Sequence, residues 1–510
     1  MGQSNDKIAI KHYKTITQAN TILSVPTKEF KEQVLLSIKL ENADALQYQY
    51  TAYQLINNKL ERLVTSEEST PLNNEVSFQK TFFTKYHFEK EQPLKIIIKK
   101  KDHNDSELEC NVTLGSIIGS KDNTLKFPIN NSIDNEIIVI KVTELKDNQK
   151  YVNFNFEIQH DNNIQFTKNK FRFNYVIKHG LDLYQSETIS RQGTFNASHI
   201  PMSLLDSNFN MEFINYKNKC IKSIDIELNE FLNKNGKFQT ITLPIHKKKQ
   251  IQLINKSEIK QSFSFIDYLK SGVQIGMSIA IDFTRSNGLP SDPQSLHYIS
   301  QGQMNQYENV IYSCGKIISH YNHEQKFTVY GFGANLQGQN IQSMCFPING
   351  NSNDPSIYTI DNVIEQYHQI VHTLDFSGPT YFGPVLKETI KNINKEREIN
   401  NLKYTILMIL TDGIINDMNE CIDLLIKADK LPLSVIIIGI GNSDFSQMEE
   451  LNMENNTLIS NDGERCCRDL IQFVTFEKYK GNGMKLAETV LEAIPKQIIT
   501  YYSMNNIFPN

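Results

Sequence analysis

The chain has 510 residues, 39% of them hydrophobic, with 52 Lys and Arg against 57 Asp and Glu and a formal net charge of −5. At roughly 150 residues per domain the length implies several domains, and the hydrophobic share excludes a wholly disordered chain. The mild acidity excludes the global positive field that gathers nucleic acid, so no nucleic-acid partner is expected.

The N-terminus reads Met1-Gly2-Gln3-Ser4-Asn5-Asp6. Gly2 raises N-myristoylation, but Asp6 stands where Ser or Thr is usual. The first 30 residues carry no secretory apolar segment. The longest apolar runs, near Ile406–Leu410 and Val435–Ile440, fall far short of the ~20 residues that span a bilayer. Seven scattered cysteines without a Cys-x-x-Cys pair argue against a disulfide framework or zinc site. A cytoplasmic protein is expected, peripheral to the plasma membrane or vesicles and without a transmembrane helix.

Residues 1 to about 260 read as β-rich. Strands are expected at Val34–Leu40, Phe78–Phe83, Leu94–Ile98, Ile137–Val142, Tyr151–Ile158, Phe171–Ile177 and Ile221–Leu228, separated by Asn, Asp, Lys, Ser and Gly. Strands in series without long amphipathic helices imply antiparallel sandwiches. A tail over 1–20 would precede two units, 21–146 and 147–255, with a junction near Asp147–Lys150 and a joint at Asn255–Lys260. No Gly-x-Ser-x-Gly, His-Glu-x-x-His or phosphate-cradling loop with Lys occurs, so no enzyme constellation is present. The basic runs Lys99–Lys101 and Lys247–Lys249 read as a solvated loop or strand edge, or as contacts with an anionic membrane at ~1 kcal/mol per Lys.

From about 262 to 505 strands and helices alternate. Gly276–Phe283 is a buried strand. Tyr307, Val310, Ile311, Cys314, Ile317, Ile318 and Tyr321 mark one amphipathic helix, and Ile360 to Leu374 repeats the spacing. Strands follow at Lys326–Phe332, Tyr404–Leu410, Leu433–Ile440 and Leu470–Val474. Helices are expected at Phe382–Arg397, Met418–Asp429 and Met484–Ile494, the last closed by Pro495. This is a doubly wound parallel sheet, in which ligands bind at the carboxyl ends of the strands. Asp282, Thr284 and Ser286 follow one strand end, Asp412 follows another, and Gly378-Pro379-Thr380 is a turn before a helix. Two carboxylates and three hydroxyls suit a hard divalent cation such as magnesium. Read singly, each Asp is a helix cap or half of a turn. Gly331-Phe332-Gly333 and Gly439-Ile440-Gly441 lack the third glycine of a dinucleotide loop and read as turns at strand ends.

Several motifs stand in a recognisable order: Asp282-Phe283-Thr284-Arg285-Ser286-Asn287-Gly288, Ser295-Leu296-His297-Tyr298, Tyr330-Gly331-Phe332-Gly333-Ala334, Gly378-Pro379-Thr380 and Leu410-Thr411-Asp412-Gly413. Leu431-Pro432-Leu433-Ser434, Gly439-Ile440-Gly441-Asn442, Arg468–Val474 and Ile494-Pro495-Lys496-Gln497 complete the set. Over residues 262–505 the chain resembles the copine family, in which two C2 domains precede a von Willebrand factor A-type domain. The resemblance implies a non-enzymatic adaptor with calcium-dependent binding to anionic phospholipid through the C2 pair. It also implies an A-type domain that recruits acidic partner proteins through a metal-ion-dependent adhesion site for Mg²⁺ or Mn²⁺. Asp282, Thr284 and Ser286 match the first loop of that site, Thr380 the second and Asp412 the third.

The C2-like loops depart from the pattern. Glu41–Tyr50, Lys99–Asp105, Gln159–Asn163 and Asn215–Lys219 offer few carboxylates, whereas Ca²⁺ takes roughly six to eight oxygens. At least one C2-like unit is therefore expected to bind no calcium tightly. The alternatives are a calcium-independent soluble scaffold whose C2 pair is an interaction surface, and a ubiquitin-ligase-like relative, which would need a RING pattern that these residues lack.

Overall fold

The computed structural model describes residues 32–509 except 57–58, 102–105, 130–134, 146–149, 154–155, 160–171, 180–181, 186–188, 191–193, 196–198, 202–208, 216–219, 234–235, 237, 245–249, 262, 337–341, 414, 450, 452–457, 461–462, 465 and 480–481. Gly2, the 1–20 tail, Lys247–Lys249 and most of the loops at 159–163 and 215–219 lie outside the described residues. The chain divides into two compact units, one containing residues 147–262 and the other 30–146 together with 263–510.

Within the larger unit, residues 32–145 form two antiparallel sheets. Glu32–Glu41 pairs with Ile137–Leu145 on one side and with Glu75–Ser77 and Phe82–Tyr86 on the other. The facing sheet pairs Gln47–Ile56 with Lys59–Thr65 and Pro93–Lys101, and the latter with Ser106–Thr113. Alternation places Val34, Leu36, Ile38 and Leu40, with Tyr48, Tyr50 and Ala52, in one core between the sheets.

Three expectations are corrected here. The strand placed at Phe78–Phe83 is Phe82–Tyr86, preceded by the short Glu75–Ser77. Gln47–Tyr50 and Lys99–Lys101, read as loop, are strand. Their polar residues hide the alternation, because tyrosines and one lysine take the inward positions.

Residues 263–509 form the parallel sheet. Its five parallel strands are Gln274–Asp282, Lys326–Phe332, Lys403–Thr411, Leu433–Gly439 and Ile471–Thr475, with Gln274–Asp282 between Lys326–Phe332 and Lys403–Thr411. Phe346–Pro347 and Ser356–Tyr358 add an antiparallel edge. The helices Gln306–Ser319, Ile360–Val371, Gly383–Ile399 and Met418–Ala428 lie close to their expected bounds. Gly333 and Gly441 adopt φ of +79° and +77°, as turns at strand ends require. The C-terminal end differs from expectation. Pro495 opens the helix Ile494–Met504 instead of closing Gly483–Leu491. A proline in the first turn surrenders no hydrogen bond, so it starts a helix as readily as it stops one.

The sandwich and the parallel-sheet region share one core. Tyr86 and Tyr321 are buried with their hydroxyls 2.7 Å apart, and Phe88 packs on Phe265 and Tyr321 at 5.1 and 4.8 Å. Around them Glu91 pairs with Lys316 at 3.2 Å and His320 at 3.6 Å, and Ser264 donates to Glu144 at 2.6 Å. Gly119 approaches so closely that a Cβ there would collide with the His320 carbonyl oxygen.

The unit 147–262 is also antiparallel where described. Arg172–His179 pairs with Phe209–Asn215, and Phe156–Gln159 with Gln250–Asn255. The expected strand Tyr151–Ile158 is two, Lys150–Asn153 and Phe156–Gln159. The expected joint at Asn255–Lys260 is partly strand, since Glu258–Gln261 pairs with Lys150–Asn153.

Candidate metal centre

The five residues singled out by the sequence lie at the carboxyl ends of two adjacent strands and the turn beside them. Asp282 is the last residue of Gln274–Asp282, and Asp412 follows Lys403–Thr411. Asp282 is wholly buried. One of its oxygens accepts from the Thr284 amide at 2.8 Å, the other from the Thr411 hydroxyl at 2.5 Å. Ser286 donates to Asp412 Oδ1 at 2.9 Å, and the Ser286 and Thr284 hydroxyls are 3.0 Å apart. A Cβ on Gly413 would meet Thr380 Oγ1 at 3.5 Å and Ser286 Oγ at 3.9 Å, so both hydroxyls border the same point. Thr380 is placed by Asn416, whose Oδ1 accepts from its amide at 2.8 Å and whose amide donates to its carbonyl at 3.0 Å.

Electrostatics fit a cation here. Burial and then the neighbouring Asp412 push the Asp282 carboxyl up to about 7. Burial likewise raises Asp412. Two carboxylates held together out of water need a proton or a positive ion between them. The donor set is entirely oxygen. Among the described residues no group of three or more His, Cys, Asp or Glu converges on a point.

Sequence reasoning assigned no site role to the residues that hold this loop. The buried Asn287 donates through Nδ2 to Asp412 Oδ1 at 3.0 Å and to the Thr284 carbonyl at 3.2 Å, while its Oδ1 accepts from Tyr307 at 2.6 Å. His297, also buried, contacts the Asp282 carbonyl through Nε2 at 2.8 Å and the Tyr367 hydroxyl through Nδ1 at 2.7 Å. Burial lowers it to about 3, so the imidazole is neutral: Nε2 carries the proton and Nδ1 accepts. Asp417 accepts from the amides of Phe382 and Gly383 at 3.1 and 2.7 Å, fixing the helix that follows Thr380. Asn287 and His297 belong to the quoted motifs, which was the available signal.

A family pattern described as Copine matches residues 295–510. Thr380 and Asp412 fall within that span, Asp282, Thr284 and Ser286 before it. Copine-D of Dictyostelium discoideum is 31% identical over 467 residues, covering 85% of this chain and 87% of that protein. Copine-E of the same organism is 32% identical over 478 residues, covering 88% and 81%. The chain belongs to the copine family. Among solved structures, manganese-loaded Plasmodium vivax TRAP is similar with a TM-score of 0.29 at 15% identity, over 44% of this chain and 74% of that one. The tandem C2 domains of Extended-Synaptotagmin 2 give 0.17 at 9%, over 46% and 93%. Neither score is high enough to bear on the function of this copine. No described helix is long and apolar enough to cross a membrane.

Proposed function

We propose that this copine is a non-enzymatic peripheral membrane adaptor. In this reading the two β-rich regions are C2-type units that meet anionic phospholipid, and the parallel-sheet region is an A-type domain that recruits partners bearing an acidic side chain. Asp282, Thr284, Ser286, Thr380 and Asp412 would hold Mg²⁺ or Mn²⁺. The ion supplies an open, oxygen-seeking position for the partner's carboxylate. The chain's own part is to hold the oxygens in place. Asp282 is fixed from both sides by Thr284 and Thr411, and Asp412 by Ser286 and Asn287.

The observation that carries the reading is the burial of two carboxylates at adjacent strand ends with three hydroxyls beside them. Titration of the full chain with Mn²⁺ should give one saturable site that Asp412→Ala weakens at least about tenfold, since a buried charged ligand contributes more than about 1.4 kcal/mol. Equal affinities would refute the assignment.

A further inference from the structure

A lysine points into the sandwich. Along Pro93–Lys101 the inward positions are Leu94, Ile96, Ile98 and then Lys100, which is 8% exposed. Its Cα is held by pairing with Tyr48 on one side and Ser106 on the other. Its ammonium lies 2.8 Å from Asp44 Oδ2 and 3.1 Å from Glu136 Oε1. Asp44 comes from the turn after Glu32–Glu41, and Glu136 from the residue before Ile137–Leu145. Tyr48 binds the same pair, donating to Asp44 at 2.6 Å and lying 3.2 Å from Glu136 Oε1. Glu136 is 1% exposed, so neither it nor Lys100 could stay charged there unpaired. Lys99 and Lys101, on the outer face, pair with Glu107 and Glu68.

We propose that the Lys100 ammonium is the resident cation of this end of the sandwich, drawing Asp44 and Glu136 together where carboxylates from two turns would otherwise need a divalent ion. Pairing of its backbone on both sides keeps the side chain at an inward position, where leaving would strand the buried Glu136 carboxylate without its cation. The ammonium and a divalent ion cannot share that position, because they repel at contact distance. The turns at Asp44 and Glu136 are thus held together permanently and do not answer to calcium. Asp44 behaves accordingly: burial alone would raise its carboxyl, but the hydrogen bonds from Lys100 and Tyr48 hold it below its ordinary value. This inference is independent of the metal centre in the parallel-sheet region.

The test is thermal unfolding of the full chain in chelator and in Ca²⁺, comparing wild type with Lys100→Met. Any calcium response from elsewhere in the chain is common to both. In chelator Lys100→Met should melt at least about 5 °C lower, and Ca²⁺ should recover part of that loss in the variant alone. A variant that melts like wild type, or whose loss Ca²⁺ leaves untouched, would overturn the proposal. So would a calcium response of the wild type that Asp44→Asn removes. If Lys100→Met does not fold, Lys100→Met combined with Glu136→Gln decides. A folded double variant whose calcium response is no larger than that of wild type supports the charge-balancing role, and a double variant that also fails to fold overturns it.

Discussion

Asn287 shows how much of the candidate centre depends on groups that would touch no ion. Its amide ties the first strand-end loop to the third, and Tyr307 dictates which way that amide faces. Replacing Tyr307 by Phe leaves the ring stacked on His297, at 4.1 Å between centroids, and removes only the hydroxyl. We expect Mn²⁺ affinity to fall roughly three- to tenfold, the scale of one buried hydrogen bond near 1 kcal/mol, and Asn287→Ala to cost more. Calorimetric titration of the two variants checks this, and an unchanged affinity in both would remove Asn287 from the account. The candidate oxygens of Asp282, Thr284, Ser286 and Asp412 could be picked out in the sequence by their position after strand ends, and that of Thr380 by its turn before a helix. Among their supports, Asn287 and His297 stood in the motifs without a role, and Tyr367 carried no signal because it lies far along the chain from the carboxylate it serves.

At the scale of elements, two of the quoted motifs turn out to be one structural clasp. Arg468 is buried and donates to the carbonyls of Asp429, Leu431 and Leu433 at 2.7, 2.8 and 2.7 Å. It thereby joins Leu431–Ser434 to the edge strand. A guanidinium's fork of donors satisfies several orphan carbonyls at once, a packing role that a motif string does not reveal. The seam between sandwich and parallel sheet is likewise invisible in sequence, because Tyr86 and Tyr321 read as ordinary core residues of separate domains. Its ion pairs predict an acid sensitivity. Pairing with His320 foremost, with Lys316 adding to it and burial opposing, holds the Glu91 carboxyl below its ordinary 4.5. A depressed carboxylate stabilises the folded state fully above 4.5, and that contribution is lost as pH falls through the lower, folded value. Protection of the amides in 86–91, taken relative to their intrinsic exchange rate at each pH, should therefore fall at pH below about 4.5, and Glu91→Gln should flatten that dependence. Identical pH profiles for the two proteins would contradict it.

For the larger unit as a whole, the seam has a consequence for the adaptor. Tyr86 pairs with Glu32 at the start of the strand that ends at Glu41, just before Asp44. That strand carries the turns of Lys100 and Asp44 roughly 30 Å from the seam, at about 3.3 Å per residue. The Tyr321 carbonyl accepts from the Ile275 amide at 3.3 Å, near the start of the strand whose end bears Asp282. The candidate metal centre and the Lys100–Asp44 pair thus each lie about a strand's length from the seam. We expect the wild-type chain to pellet with phosphatidylserine vesicles equally in Ca²⁺ and in chelator. Pelleting abolished by chelator would return the adaptor to calcium control. The sequence by itself determined the antiparallel and parallel halves and which carboxylates and hydroxyls follow the strand ends, because periodicity and strand-end position are local properties of the chain. Only the tertiary structure decided that the sandwich of residues 32–145 packs on the parallel sheet, that Asn287 and His297 brace the carboxylates, and that Lys100 enters the core. Each of those depends on which distant residue arrives opposite, and local pattern does not encode that.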